Sequence, residues 1–164
     1  MAEFIKVTES DISFVQQLAQ KSWNAAYKNI LSQAQIEYML DQMYSTKEIS
    51  RHLNSENYHY YMIKEEDQVT GFIGFEFHYE PATTKLHRIY LLEDFIGKGL
   101  GKKALSFLKE EVADSSDKRI ILNVNKDNPA KAVYESQGFS VFEEKVFDIG
   151  NGFVMDDYLM EFRF

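Results

Sequence analysis

The sequence predicts one α+β domain: a mixed, mostly antiparallel sheet of about seven strands, flanked by helices and preceded by a helical N-terminal third. Three observations carry that reading. Apolar residues recur at helical spacing as far as Leu53, and at a period of two from Tyr58 onward. Short polar connections join the runs after Tyr58 as hairpins. A helical pattern then leads into "RIILNV" (Arg119 to Val124), a nearly continuous apolar run that suits a central strand reached by a crossover. At 164 residues, 45% hydrophobic, the chain suffices for one core, so residues 1–164 are read as a single domain.

Each element follows in order. "FIKV" (Phe4 to Val7) reads as a short strand, and Thr8 to Asp11 as a capping box opening a helix with Ile12, Val15, Ala19, Trp23 and Ala26 on one face. Ser32 with Gln35, and Ser45 with Glu48, start two further helices. "YHYYMIK" (Tyr58 to Lys64), "TGFIGFEFHYE" (Thr70 to Glu80) and "LHRIYLL" (Leu86 to Leu92) form an antiparallel meander. Leu100, Ala104, Leu105, Leu108 and Val112 trace the crossover helix, and its connection makes the next strand parallel to the preceding one. "PAKAVYESQ" is a short helix stopped by Gly138. Phe139 to Phe147 and Phe153 to Phe164 are the last strands, with Asn151-Gly152 as the hairpin signal between them.

Composition excludes several classes. Without cysteine there is no disulfide framework, thiolate metal site or cysteine acyl-enzyme, and a cytoplasmic location is expected. The sequence shows no bilayer-spanning apolar run and no secretion leader in "MAEFIKVTES", so no membrane role is expected. A formal charge of −8 disfavours nucleic acid and weakly attracts cationic small molecules. His52, His59, His78 and His87 lack ligand spacing, so no metal is expected.

The chemistry concentrates in "EDFIGKGLGKKAL" (Glu93 to Leu105). The phosphate loop of nucleotide hydrolases is ruled out, because Ile96 and Lys103 stand where it needs Gly and Ser or Thr. Gly99 to Ala104 match G-x-G-x-x-A, but a dinucleotide fold places its glycines directly after a strand of a parallel sheet. A plain turn would need one glycine rather than three. The remaining reading is an anion cradle: exposed N–H groups of Gly97, Lys98, Gly99, Leu100, Gly101 and Lys102 at the positive end of a helix, awaiting a phosphorylated cofactor.

"IGKGLG" followed by "DNPAKAVYESQGF" resembles the core of the GNAT acetyltransferase superfamily over essentially the whole chain. Gly99 and Gly101 match the family's Gln/Arg-x-x-Gly-x-Gly/Ala signature; Ala130, Tyr134, Gly138 and Phe139 match its second motif. Two departures stand out: Ile96 replaces the usual Arg or Gln, and Asp127 occupies the usual Asn position, leaving Asn125 and Asn128 as candidates to fill it. "SWNAAYKNILSQAQIEYMLDQMYS" is more loosely similar to the N-terminal helices of bacterial spermidine/spermine N-acetyltransferases.

The resemblance implies direct acetyl transfer from acetyl-CoA to an amine, in a ternary complex without metal. It implies that Leu86–Leu92 and Arg119–Val124 splay apart, with pantetheine paired to the backbone near Ile89, Tyr90 and Leu91. The pyrophosphate would then rest on Gly97 to Lys102. It assigns Tyr134 as the acid for the departing thiolate. Glu93, then Glu76, are the candidate bases, with His78 on the same strand face as Glu76. A polyamine or other small amine is the expected acceptor, met by Trp23, Tyr27, Glu37, Tyr38 and Asp41. The alternatives are a non-catalytic acetyl-CoA sensor, an enzyme acting on protein N-termini or lysines, and a dinucleotide oxidoreductase. The oligomeric state stays open, a homodimer included.

Overall fold

The computed structural model describes residues 2–164; Met1, the first residue of the expected domain, lies outside the described residues. The strands are β1 (Ala2–Lys6), β2 (Tyr58–Glu65), β3 (Gln68–Glu80), β4 (Thr83–Leu91), β5 (Arg119–Asn125), β6 (Ser140–Gly150) and β7 (Phe153–Arg163). The helices are α1 (Ile12–Tyr27), α2 (Gln33–Tyr44), α3 (Thr46–Leu53), α4 (Leu100–Asp114) and α5 (Ala130–Ser136). The strands form one sheet in the order β1-β2-β3-β4-β5-β7-β6. Only β4 and β5 run parallel, as the intervening α4 crossover requires.

Local chemistry explains the element starts. The Thr8–Asp11 box forms, with Asp11 accepting from the Thr8 N–H at 2.9 Å, but it opens one 3₁₀ turn ahead of α1. Ser32 accepts from the Gln35 N–H at 3.1 Å and Ser45 from the Glu48 N–H at 3.2 Å, each cap worth about 1 kcal/mol. Positive φ at Gly150, Asn151 and Gly152 turns β6 into β7.

The alternation of the strands feeds two cores. Tyr58, Tyr60, Met62 and Phe72 pack with Val15, Trp23, Tyr27, Ile36 and Ile49 under α1 to α3. Ile63, Ile73, Phe75, Leu86, Ile120 and Leu122 pack with Leu105, Leu108, Tyr134 and Phe139 under α4 and α5. At the β3–β4 ladder the register steps from Gly74↔Arg88 to Phe75↔Leu86, leaving His87 as a bulge. The bulge reverses the phase of β4, so Leu86 faces the α4 core while Arg88 turns to the other side. There Arg88 donates to the Met43 carbonyl at 2.8 Å and to the Tyr60 hydroxyl, its guanidinium 4.5 Å from the centre of the Tyr44 ring.

Gly71 sits opposite Leu91, where a Cβ would overlap the Tyr90 carbonyl. Gly71→Ala must therefore push β3 and β4 apart. The expected loss is about 1–3 kcal/mol of unfolding free energy, read from denaturant melts.

Candidate active site

β4 and β5 share a ladder only from Thr83↔Arg119 to Leu86↔Leu122. Beyond it, β4 continues against β3 alone as far as Leu91, and β5 against β7 as far as Asn125. The β4 edge at Ile89, Tyr90 and Leu91 thus faces a gap where a parallel partner would lie. Ile89, Leu91 and Val124 line it on the α4 side, in the cluster that holds Tyr134.

The glycine loop stands at the end of β4, after a 3₁₀ turn at Glu93–Phe95. Gly97 (φ 82°) and Gly99 (φ 81°) are left-handed, and no atom of the described residues lies within 4 Å of a Cβ added at either. That backbone conformation is what requires glycine. Gly101 has a different role, since a Cβ there would touch Val133 of α5 at 3.8 Å, an ordinary packing distance. Among the described residues no side chain caps α4, and its first helical bond here runs from the Lys103 N–H to the Gly99 carbonyl at 3.1 Å. The N–H groups of Leu100, Gly101 and Lys102 therefore project from the helix end beside exposed Lys98 and Lys102. This donor set fits a pyrophosphate. Ile96, 57% exposed, adds no charge.

A node of polar side chains closes the far wall. Tyr27, at the end of α1, is within 3.1 Å of the Tyr90 hydroxyl and accepts from the Asn128 amide at 3.4 Å. Asn128 in turn accepts from the Ala130 N–H at 2.9 Å and so caps α5, while Asn125 accepts from the Asp127 N–H at 2.9 Å. Of the two asparagines, Asn128 is the one that orders the α5 entrance. Trp23 donates to Tyr44 at 3.1 Å and packs in tilted contact with Tyr27 and Tyr90. Trp23 and Tyr27 are thus core and positioning groups, 1% and 4% exposed, not an open aromatic wall. Tyr134 is buried with no side-chain hydrogen bond among the described residues; burial, with Tyr27 nearby, pushes its hydroxyl far above the usual tyrosine range. Its hydroxyl therefore stays protonated throughout the physiological range.

The other expected residues are spread more widely. Glu93 projects into solvent, 4.0 Å from Lys28. Glu76 accepts from His87 at 3.0 Å, and burial pushes His87 down to about 3 despite that carboxylate. His78 does not share the Glu76 face: its φ of 56° lies in an irregular stretch of β3, and its N–H and ring meet Asp117 instead, at 2.9 and 2.8 Å. Tyr38 donates to the Ile149 carbonyl at 2.8 Å, anchoring the β6–β7 hairpin, with Glu37 and Asp41 exposed on either side of it along α2. Among the described residues no group of three His, Asp or Glu side chains could hold a metal ion, and no helix is long and apolar enough to cross a membrane.

One residue was not anticipated from the sequence. Asp157, paired with Asn125 across β5 and β7, is 6% exposed, and its Oδ1 has no hydrogen-bond partner among the described residues.

The sequence pattern of the Acetyltransferase (GNAT) family matches residues 16–139, and the chain belongs to that family. It is an acetyl-CoA-dependent N-acetyltransferase. An uncharacterised N-acetyltransferase encoded in the pepI 3′ region of Lactobacillus delbrueckii subsp. lactis is 22% identical, over 91% of this chain and 90% of that protein. Among solved structures, the PaiA N-acetyltransferase of Thermoplasma acidophilum in complex with coenzyme A superposes with a TM-score of 0.83 at 21% identity, covering 100% of this chain and 99% of that one. A chimera built on the spermidine N-acetyltransferase SpeG of Vibrio cholerae gives a TM-score of 0.71 at 16% identity, over 99% and 94%. Both structural likenesses show the shared fold.

Gly97→Ala and Gly99→Ala should each weaken coenzyme A binding about tenfold in titration calorimetry, because the methyl group and the forced φ both disturb the cradle. Each should cost only about 1 kcal/mol of stability.

Proposed function

We propose that the enzyme acetylates a small polycationic amine, a polyamine above all, by direct transfer within a ternary complex. The observation that carries this reading is the gap between β4 and β5, with the glycine cradle at one end and a neutral, unpartnered tyrosine buried in the cluster that lines it.

When bound, acetyl-CoA supplies the activated thioester. The N–H groups of Gly97 to Lys102 would hold its pyrophosphate, and the free edge of β4 from Ile89 to Leu91 would align pantetheine as an added strand. The backbone N–H near Leu91 would then face the developing oxyanion. Tyr134 would protonate the departing thiolate; burial keeps its hydroxyl protonated beforehand, and the charge developing on sulfur must draw the proton away.

Polyamine selectivity is supported by charge. The chain carries −8, and exposed Glu37 and Asp41 flank Tyr38, whose bond to Ile149 ties α2 to the hairpin bearing Asp148 and Asp156. Such a rim attracts extended cations over a distance set by salt. The fold likeness to a spermidine N-acetyltransferase points the same way.

Thiol release from acetyl-CoA, followed with spermidine, spermine, a lysine peptide and an aminoglycoside, tests this reading. Spermidine or spermine is expected to give the highest kcat/KM. Tyr134→Phe is expected to lower kcat about a hundredfold while leaving the affinity for acetyl-CoA intact. Preference for the peptide would overturn the polyamine assignment, and an unchanged kcat in the variant would remove Tyr134 from the acid role.

A further inference from the structure

We propose that Asp157 is the general base, receiving the acceptor's ammonium group on its unpartnered Oδ1 and taking its proton before attack. The proposal rests on the transferase reading above but not on which amine is accepted.

The geometry places this carboxylate at the junction of the groups already described. Its register partner Asn125 ends β5 at the loop that leads to Asn128 and α5. Tyr27, which contacts Tyr90 and Asn128, lies within electrostatic reach of both Asp157 and Tyr134. The candidate base and the candidate acid therefore both couple electrostatically to the Tyr27 hydroxyl. On the solvent side lie Asn123, which is exposed, and Lys85, whose ammonium donates to Asn123 at 3.2 Å. A buried carboxylate oxygen without a donor is costly unless something fills the role, and an incoming ammonium supplies the missing N–H groups.

The charged and titratable neighbours come from each packed element: Tyr27 from α1, Lys85 from β4, Asp156 beside it on β7, and Lys145 opposite it on β6. Burial foremost, then Asp156, raises the Asp157 carboxyl to about 6, with Lys85 and Asn123 opposing the rise. A higher proton affinity narrows the gap to the ammonium that must be deprotonated, and each unit of narrowing makes that step tenfold less costly. The steps balance. The ammonium gives one proton to Asp157, and the free amine forms the C–N bond. The C–S bond breaks as the thiolate takes the Tyr134 proton, and the second nitrogen proton returns to the tyrosine oxygen. Asp157 releases its proton to solvent with the product.

The sign of the pH effect follows from the raised value. Catalysis needs ionised Asp157, so native kcat/KM should fall as pH drops through about 6. The ionised form also burdens the fold. That burden is present above about pH 6 and is relieved as pH falls toward the unfolded carboxylate value.

The test compares native protein with Asp157→Asn, measuring kcat/KM from pH 5 to 9, acetyl-CoA affinity and Tm. The expected results are an approximately hundredfold lower kcat/KM, loss of the acid limb near pH 6, unchanged acetyl-CoA affinity, and a Tm raised more at pH 8 than at pH 5. Methoxyamine, uncharged at neutral pH, should narrow the gap between variant and native at least about tenfold, because no ammonium proton has to be removed. An unaltered acid limb, or an equal loss with methoxyamine, overturns the base role. If the native protein prefers a non-polyamine amine yet shows the Asp157-dependent limb, the polyamine reading fails and this one stands.

Discussion

The architecture turns on a parallel ladder that stops early. β4 and β5 are joined at only four register pairs, and everything proposed for the site occupies the space opened where they part. Both ends of that divergence are enforced. At the closed end, buried Asp117 accepts from the Thr84 hydroxyl at 2.7 Å and from the His78 backbone, and the Lys118 N–H reaches the Ala82 carbonyl at 2.8 Å. Burial alone would raise the Asp117 carboxyl, but the hydrogen bonds from Thr84 and His78 outweigh it and hold it below the usual range. At the open end, the contacts of Tyr27 with Tyr90 and Asn128 tie α1, β4 and the entrance to α5 together across the gap.

The His87 bulge links this opening to the N-terminal helices. By reversing the phase of β4, it buries Arg88 among Tyr44, Tyr60 and the α2 carbonyl of Met43, so the helical cap is bonded to the strand that must stay unpaired on its other edge. A buried guanidinium bonded through one terminal nitrogen to a carbonyl and a phenol, covered by an aromatic ring and with its Nε unpartnered among the described residues, fixes position at the expense of desolvation. The consequence is a β4 edge held at one orientation before any ligand arrives, which favours binding by reducing the order still to be imposed.

Local signals in the sequence proved strong where local chemistry decides. Ser32 and Ser45 cap as their spacing predicts, the Thr8–Asp11 box forms one 3₁₀ turn ahead of α1, and the glycines at 97 and 99 take left-handed conformations. The second GNAT motif likewise delivers Tyr134 into the cluster that lines the gap. What the sequence obscured depends on pairing between distant strands. Asp156 and Asp157 are adjacent in "VMDDYLM", where apolar residues occupy both alternations, so only the Asn125↔Asp157 register reveals which carboxylate is buried. Glu76 and His78 sit two apart, yet an irregular stretch of β3 breaks the period and sends them to different partners. Trp23 and Tyr27 carry helical spacing in either role, and only the packing of α1 against Tyr44 and Tyr90 places them inside.

The most direct measurement is amide hydrogen exchange by NMR, with and without coenzyme A. The account predicts added protection at Ile89 to Leu91 and at Gly97 to Lys102, with the distal β6–β7 hairpin unchanged. Coenzyme A binding that leaves the β4 edge and the glycine loop exchanging as before would contradict it.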